Sequence, residues 1–341
     1  MTLSYRARRN LRSFGSAALF LALLLILVWI VWLFWLDRYV VYTRDGAKLD
    51  FSQSIEHLSG QPVKPPESDF SVDIYYNEGD GALNITTELT QLSGYYITKD
   101  MLAEDIDALR LQLSKLPAQT PVLIDVKDIT GRFFYTTSLG PAYKGIDTEK
   151  MDAFIEFLSN SDLYIIARVP ALRDYYYGLN TPSDGLPTAG GYLWLETETR
   201  CYWLNPASEG TLTHLMQTAA QLKSLGFDEV VFTDFRFPDT DKIVFKGDKQ
   251  EALANAAKSL VAASASDHFA VSFQVEQPTL TLPDGRTRMY LEGKNAAEAK
   301  ALAQMSGLEN PAVNLVFLTD INDTRFDEFG ALRPITSAVI E

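Results

Sequence analysis

The chain has one cysteine, Cys201, which rules out an intramolecular disulfide even where the compartment is oxidising, so the fold must rest on its core. Its three histidines, His57, His214 and His268, lie far apart and support neither a zinc site nor a Ser/His triad. There is no Walker loop and no dinucleotide fingerprint, so no cofactor and no metal are expected. Basic clusters are also missing beyond the first dozen residues. Four of the 30 Lys and Arg residues precede position 13, leaving 26 against 44 acidic ones, a formal charge of −18. A phosphate backbone requires clustered cations, so nucleic acid is not an expected partner.

What the sequence does contain begins with an uncharged run of 24 residues, Ser13 to Leu36. At about 1.5 Å per residue it reaches roughly 36 Å, enough to cross a lipid bilayer with some tilt. Arg6, Arg8, Arg9 and Arg12 precede it, which predicts a cytoplasmic N-terminus and an extracytoplasmic remainder. Trp29, Trp32 and Trp35 recur at the outer end as a headgroup belt. The run is too long for a cleaved signal peptide and lacks a small-residue cleavage site. The expected layout is a basic tail at 1–12, a transmembrane anchor at 13–36, a stalk with short strands at 37–69 and one α/β domain at 70–341.

Within the stalk, Arg38 to Phe51 reads as strand-turn-strand around Asp45-Gly46, and Pro62, Pro65 and Pro66 mark a connector. A strand is expected at Phe70 to Tyr76. From Ser93 onward, strands and helices alternate. The strands are Gly94 to Thr98, Val122 to Val126, Leu163 to Val169, Glu229 to Phe235, Phe269 to Val275 and Val313 to Leu318. The intervening helices are Asp100 to Lys115, Thr148 to Asn160, Glu209 to Leu225, Lys249 to Ala265 and Ala296 to Ser306. Short apolar strands separated by helices predict a parallel sheet, and a TIM-barrel-like (β/α) domain is the leading fold class. A closed barrel needs about eight strands, more than this alternation supplies. Either the early strands near Val40 to Phe51 and Phe70 to Tyr76 complete the wall, or the barrel is incomplete or open. A doubly wound sheet is the rival, although no Gly-rich phosphate loop follows the first strand.

Side chains at the C-terminal strand ends of a barrel line its active site. Leu123, Asp125 and Lys127 share one strand face by period-2 alternation, which places a carboxylate beside an ammonium. They form either a site at the barrel mouth or a structural ion pair. The third strand ends in Ala167-Arg168-Val169-Pro170, Arg173 and Asp174 follow, and the next loop carries Tyr175, Tyr176, Tyr177, Trp194 and Trp203. Those rings either stack on sugar faces or pack the loop onto the barrel.

The fourth strand, Gly226-Phe227-Asp228-Glu229 through Thr233-Asp234-Phe235-Arg236-Phe237-Pro238, resembles the glycosyl-hydrolase-like domain family of bacterial envelope proteins. Four further blocks match in order: Gly94-Tyr95-Tyr96-Ile97-Thr98, Ile124-Asp125-Val126-Lys127-Asp128 with Gly131, Ile166-Ala167-Arg168 with Asp174, and Trp203-Leu204-Asn205-Pro206. The resemblance implies a TIM-barrel-like domain acting on a polysaccharide or cell-envelope glycan outside the cytoplasmic membrane. Two departures stand out. Thr233 occupies the place of the family's strand-end aspartate, with Asp234 one residue later, and the family's Pro-Met-x-Tyr-Pro-Ser strand end is missing downstream. A one-residue shift turns a strand side chain toward the helix layer unless a bulge corrects it.

Glycoside hydrolysis requires an acid and a second carboxylate. Asp125 and Asp234 are the expected catalytic pair, with Glu276 and Asp320 in reserve at later strand ends. Lys127, Arg168, Asp174, Trp194, Trp203 and Arg236 complete the expected sugar-binding set. The competing reading is a glycan-binding or scaffold protein that kept the barrel without the catalytic pair.

Overall fold

The computed structural model describes residues 24–25, 28–29, 40–43, 46–49 and 88–335. The chain divides into two units, 1–81 and 82–341. In the first, Val40–Thr43 and Gly46–Leu49 form an antiparallel ribbon with Val40 opposite Leu49 and Thr43 opposite Gly46, so the expected strand-turn-strand is present but Gly46 belongs to its second strand and not to the turn. Apart from the four residues at 24–25 and 28–29, the 13–36 anchor lies outside the described residues, as does the strand expected at Phe70 to Tyr76. Among the described residues no helix is long and apolar enough to cross a membrane.

The second unit contains a closed barrel of eight parallel strands, neighbours in sequence being neighbours in the wall. These are β1 (Ser93–Ile97), β2 (Pro121–Asp125), β3 (Tyr164–Pro170), β4 (Glu229–Thr233), β5 (Ala270–Gln274), β6 (Met289–Glu292), β7 (Leu315–Leu318) and β8 (Gly330–Pro334). Pairing of β8 with β1, Leu332 opposite Gly94, closes the ring. The wall is therefore completed by β6 and β8, not by the N-terminal strands. Both escape the alternation of strand and helix because the elements before them are irregular. Val275–Arg288 joins β5 to β6 without a helix, and only the 3₁₀ turn Thr324–Glu328 lies between β7 and β8.

The helices are α1 (Lys99–Glu104), α2 (Ile106–Leu113), α3 (Thr148–Ser159), α4 (Tyr175–Asn180), α5 (Glu209–Ser224), α6 (Lys249–Ser264), α7 (Ala299–Ser306) and α8 (Pro311–Asn314). The single helix expected over Asp100 to Lys115 is two. Asp105 adopts an extended backbone (φ −159°, ψ 96°), and its carboxylate caps α2 by accepting from Ala108 N at 3.0 Å. An aspartate that caps a new helix competes with continuing the old one.

Alternate strand residues divide between two cores. Leu123, Ile166, Val231, Tyr290, Val316 and Leu332 fill the barrel interior, while Val122, Ile124, Val230 and Phe232 pack under the helices. The floor of the barrel is polar. Glu229, fully buried at the start of β4, accepts from Tyr164 Oη and Tyr290 Oη (2.9 Å each) and Ser272 Oγ (2.5 Å), and pairs with the buried Arg288 guanidinium. A buried charge is tolerable when its lone pairs are all engaged in this way. Beside it, Asp228 Oδ2 accepts from Ile165 N at 2.7 Å, and burial pushes its carboxyl up to about 6. The Asp-Glu opening of the fourth strand thus belongs to the floor, at the opposite end from the mouth.

Gly94 marks a close approach of wall strands, since a Cβ there would lie 2.1 Å from the Pro121 carbonyl oxygen. Gly94→Ala is expected to cost about 2–3 kcal/mol by forcing β1 and β2 apart. Chemical denaturation of the full chain measures it, and a change below about 0.5 kcal/mol would mean that the wall relaxes freely.

Candidate active site

A cavity of about 420 Å³ opens at the C-terminal mouth of the barrel, lined by residues that include Asp125, Lys127, Arg168, Asp234 and Glu292. Asp125, the last residue of β2, lies directly across from Arg168 on β3. The guanidinium grips the carboxylate with both arms, Nε to Oδ1 at 2.5 Å and Nη2 to Oδ2 at 3.1 Å, and Lys99 N donates to Oδ2 at 2.8 Å. Forked Arg–carboxylate pairing of this kind fixes orientation as well as charge. Asp125 is held by three donors before any ligand arrives.

Asp234 reaches the same cavity by a backbone device. The strand ends at Thr233, and Asp234 takes a left-handed conformation (φ +50°), with Arg236 N donating back to its carbonyl at 2.9 Å. A left-handed residue breaks the period-2 rule, so the carboxylate turns to the mouth and not to the helix layer. This turn performs the correction expected of a bulge. Burial raises the Asp234 pKa, and the Arg173 guanidinium, 3.2 Å from Oδ1, opposes without cancelling it. Arg173 also pairs with Glu196 at 2.7 Å, which ties the ribbon Leu195–Glu196/Cys201–Tyr202 to the site.

Glu292 closes β6 and was hidden with that strand. Gln274 Nε2 donates to its Oε2 at 2.8 Å, and Arg168 Nη1 approaches its Oε1 at 3.4 Å. Its side chain is 49% exposed, so an incoming group can still reach it. The run Met289-Tyr290-Leu291-Glu292, three apolar residues ending on an acid, is the signal that marks it in the sequence.

Lys127 lines the cavity from below, bound to Asp174 Oδ2 at 2.7 Å with side chains 0% and 2% exposed. Burial alone would raise the Asp174 carboxyl, but the Lys127 ammonium, the buried His214 imidazole 3.8 Å away and the Tyr177 N–H outweigh it and bring it to about 2. Asp174 also caps α4 through Tyr177 N at 2.7 Å. With its carboxylate engaged and its side chain almost wholly buried, it supports the site and cannot meet a sugar. Gly131 explains itself here: at φ +85°, a Cβ would stand 2.0 Å from Asp174 Oδ1.

Trp203 is a second correction. A stacking platform needs a free face, but this indole is fully buried and is flanked by Arg173 (5.3 Å to the ring centroid) and Arg236 (5.0 Å). It packs the aromatic loop onto the barrel. Trp194, half-buried against the outer core, does not line the central cavity. Arg236 and Glu276 form an ion pair of 3.0 Å just outside it, and Asp320 is exposed beyond the end of β7. Of the ten side chains expected at the site, Asp125, Asp234, Lys127 and Arg168 share the central cavity; the other six do not. Among the described residues no cluster of His, Cys, Asp and Glu is arranged to hold a metal ion.

A closed parallel barrel with acidic and basic side chains gathered at its C-terminal mouth defines a TIM-barrel-like fold. The chain belongs to the family described as "Putative glycosyl hydrolase domain", whose pattern matches residues 94–275, from β1 through β5. No curated protein matches the sequence. Among solved structures, a family 36 alpha-galactosidase from Geobacillus stearothermophilus in complex with raffinose is 9% identical with a TM-score of 0.50, over 74% of this chain and 40% of that one. A family 20 exo beta-N-acetylglucosaminidase from Vibrio harveyi is 11% identical with a TM-score of 0.49, over 68% of this chain and 42% of that one. This chain therefore spans about two fifths of the length of these hydrolases, and the likeness to the first is one of fold.

Proposed function

We propose that the protein is a membrane-anchored, extracytoplasmic glycoside hydrolase that cleaves an envelope polysaccharide at the barrel mouth. Asp234 is the general acid in this reading, delivering its proton to the glycosidic oxygen. Glu292 is the second carboxylate, attacking the anomeric carbon or activating a water. Asp125, already engaged by Arg168 and Lys99, orients the site. The observation that carries the reading is the left-handed Asp234, whose carboxyl shares a cavity with Glu292 and is made a weaker acid by burial. A raised carboxyl beside an accessible second one is the arrangement that divides acid from nucleophile or base.

One observation favours a second reading, a glycan-binding protein without hydrolysis. Thr233 lines the cavity where the family pattern carries a carboxylate, and a hydroxyl is a poor proton donor. The uncharged run at 13–36, behind its four arginines, supports the anchored, outward-facing placement. The test incubates the full chain, recovered from the membrane fraction, with envelope polysaccharide. New reducing ends are expected. Binding without them would transfer the protein to the second reading, and absence of both would end the glycan assignment.

A further inference from the structure

The mouth cavity does not end at the carboxylates. A second recess of about 270 Å³ shares Asp234, Gln274 and Glu292 with it as common walls. A third, of about 360 Å³, shares Arg236, Val275 and Glu276 with the second. Through these shared residues the three adjoin one another as a stepped trough, flanked by residues that follow β4, β5 and β6. Its first part lies over the barrel, the carboxylates stand at the first junction, and the Arg236–Glu276 ion pair stands at the second. Val275, Glu276, Gln277, Thr279 and Leu280, from the helix-free connection between β5 and β6, supply one wall of the trough's outer part.

The outer recess mixes apolar walls, Phe237, Leu253 and Leu280, with hydrogen-bonding groups on Lys249, Gln250 and Gln277. A few polar groups set among apolar walls make a binding surface, and pyranose rings present both kinds of face. A terminal sugar alone would need only the space beside the carboxylates.

We infer that the ligand is a glycan chain of several units, straddling Asp234 and Glu292, whose units on one side run over the Arg236–Glu276 pair into the recess bounded by Phe237 and Leu280. This rests on the glycan reading of the same site and assigns the outer recess as a chain-length sensor. Arg236 and Glu276, outside the central cavity, become contacts for the distal part of the chain.

The test is a binding series by calorimetry on the full chain, using envelope polysaccharide partially hydrolysed and sized into fractions from disaccharide upward. Affinity is expected to tighten by about tenfold or more from the disaccharide to fragments long enough to fill the outer recess. Thr279→Trp, which fills that recess from an exposed loop position, is expected to abolish the gain and leave disaccharide affinity within about twofold. Gln277→Trp, another exposed lining position, is the parallel variant if the first does not fold. Binding that is independent of length, or a length gain that survives both variants, would overturn the inference and leave the glycan reading standing. No binding of any fraction would overturn both.

Discussion

Asp174→Ala is expected to destabilise the barrel domain by about 3–5 kcal/mol, the cost of leaving a buried ion without its partner. The ammonium of Lys127 lies 2.7 Å from the Asp174 carboxylate and has no exposed surface. Its remaining contacts are the Pro170 carbonyl at 3.4 Å and the Phe133 ring at 5.3 Å, neither of which carries an opposing charge. The substitution also removes the cap of α4, worth about a further 1 kcal/mol. Thermal unfolding of the full chain measures the loss, and Lys127→Met in the same chain should recover a large part of it, since a neutral stem needs no counter-ion. The pH dependence has a defined sign. The folded-state pKa of Asp174 is lowered to about 2, below its value of about 3.9 in an unfolded chain. Its stabilising contribution, on the order of 2 kcal/mol, is therefore complete above about pH 4 and is lost as pH falls toward 2. The variant should lack that acid-side loss. A deficit under about 1 kcal/mol, or no recovery in the double variant, would mean that Lys127 finds another partner.

The sequence shows six of the eight wall strands because each follows or precedes an amphipathic helix that frames it. Met289–Glu292 and Gly330–Pro334 match the length of wall strands that it does show, but the connection that leads into each carries no α-helix. A pattern search that relies on alternation is blind to strands whose crossover carries no helix. The site residues divide along a similar line. Asp125 and Arg168 are legible because both lie within regular strands near their C-terminal ends, where period 2 predicts the direction of the side chain. Asp234 is legible as a residue but not as a direction, since its left-handed backbone lies outside that rule. Trp203 and Asp174 sit in the right blocks with the wrong role. Burial separates a sugar platform from a packing indole, and a ligand carboxylate from a structural one, and burial is a property of the assembled barrel. Gly131 shows the reverse case. Its place after the Asp125 block becomes intelligible only when Asp174, forty-three residues away, closes over it.

The proposed chemistry stands or falls on Asp234→Asn, which is expected to lower kcat for glycan cleavage by about 10²–10⁴-fold, the usual contribution of a positioned general acid. Asparagine is the informative replacement because it tolerates the left-handed backbone that Asp234 adopts, so the turn before Arg236 is preserved and only the transferable proton is lost. Glycan affinity should change little, which separates this outcome from a collapsed site. The acid must be protonated to act, and burial holds its pKa above the ordinary carboxylate value, so activity in the unmodified protein should fall as pH rises through that raised pKa. Arg173 works against the burial, because its positive charge favours the ionised carboxylate. Removing it with Arg173→Met should push the alkaline limb of the pH–rate profile to higher pH, whereas a residue that merely packs the loop would lower activity at every pH without moving the limb. If Asp234→Asn retains more than about a tenth of kcat, proton delivery belongs to another group, and Glu292 is the remaining carboxyl at the first junction of the trough that is open to solvent.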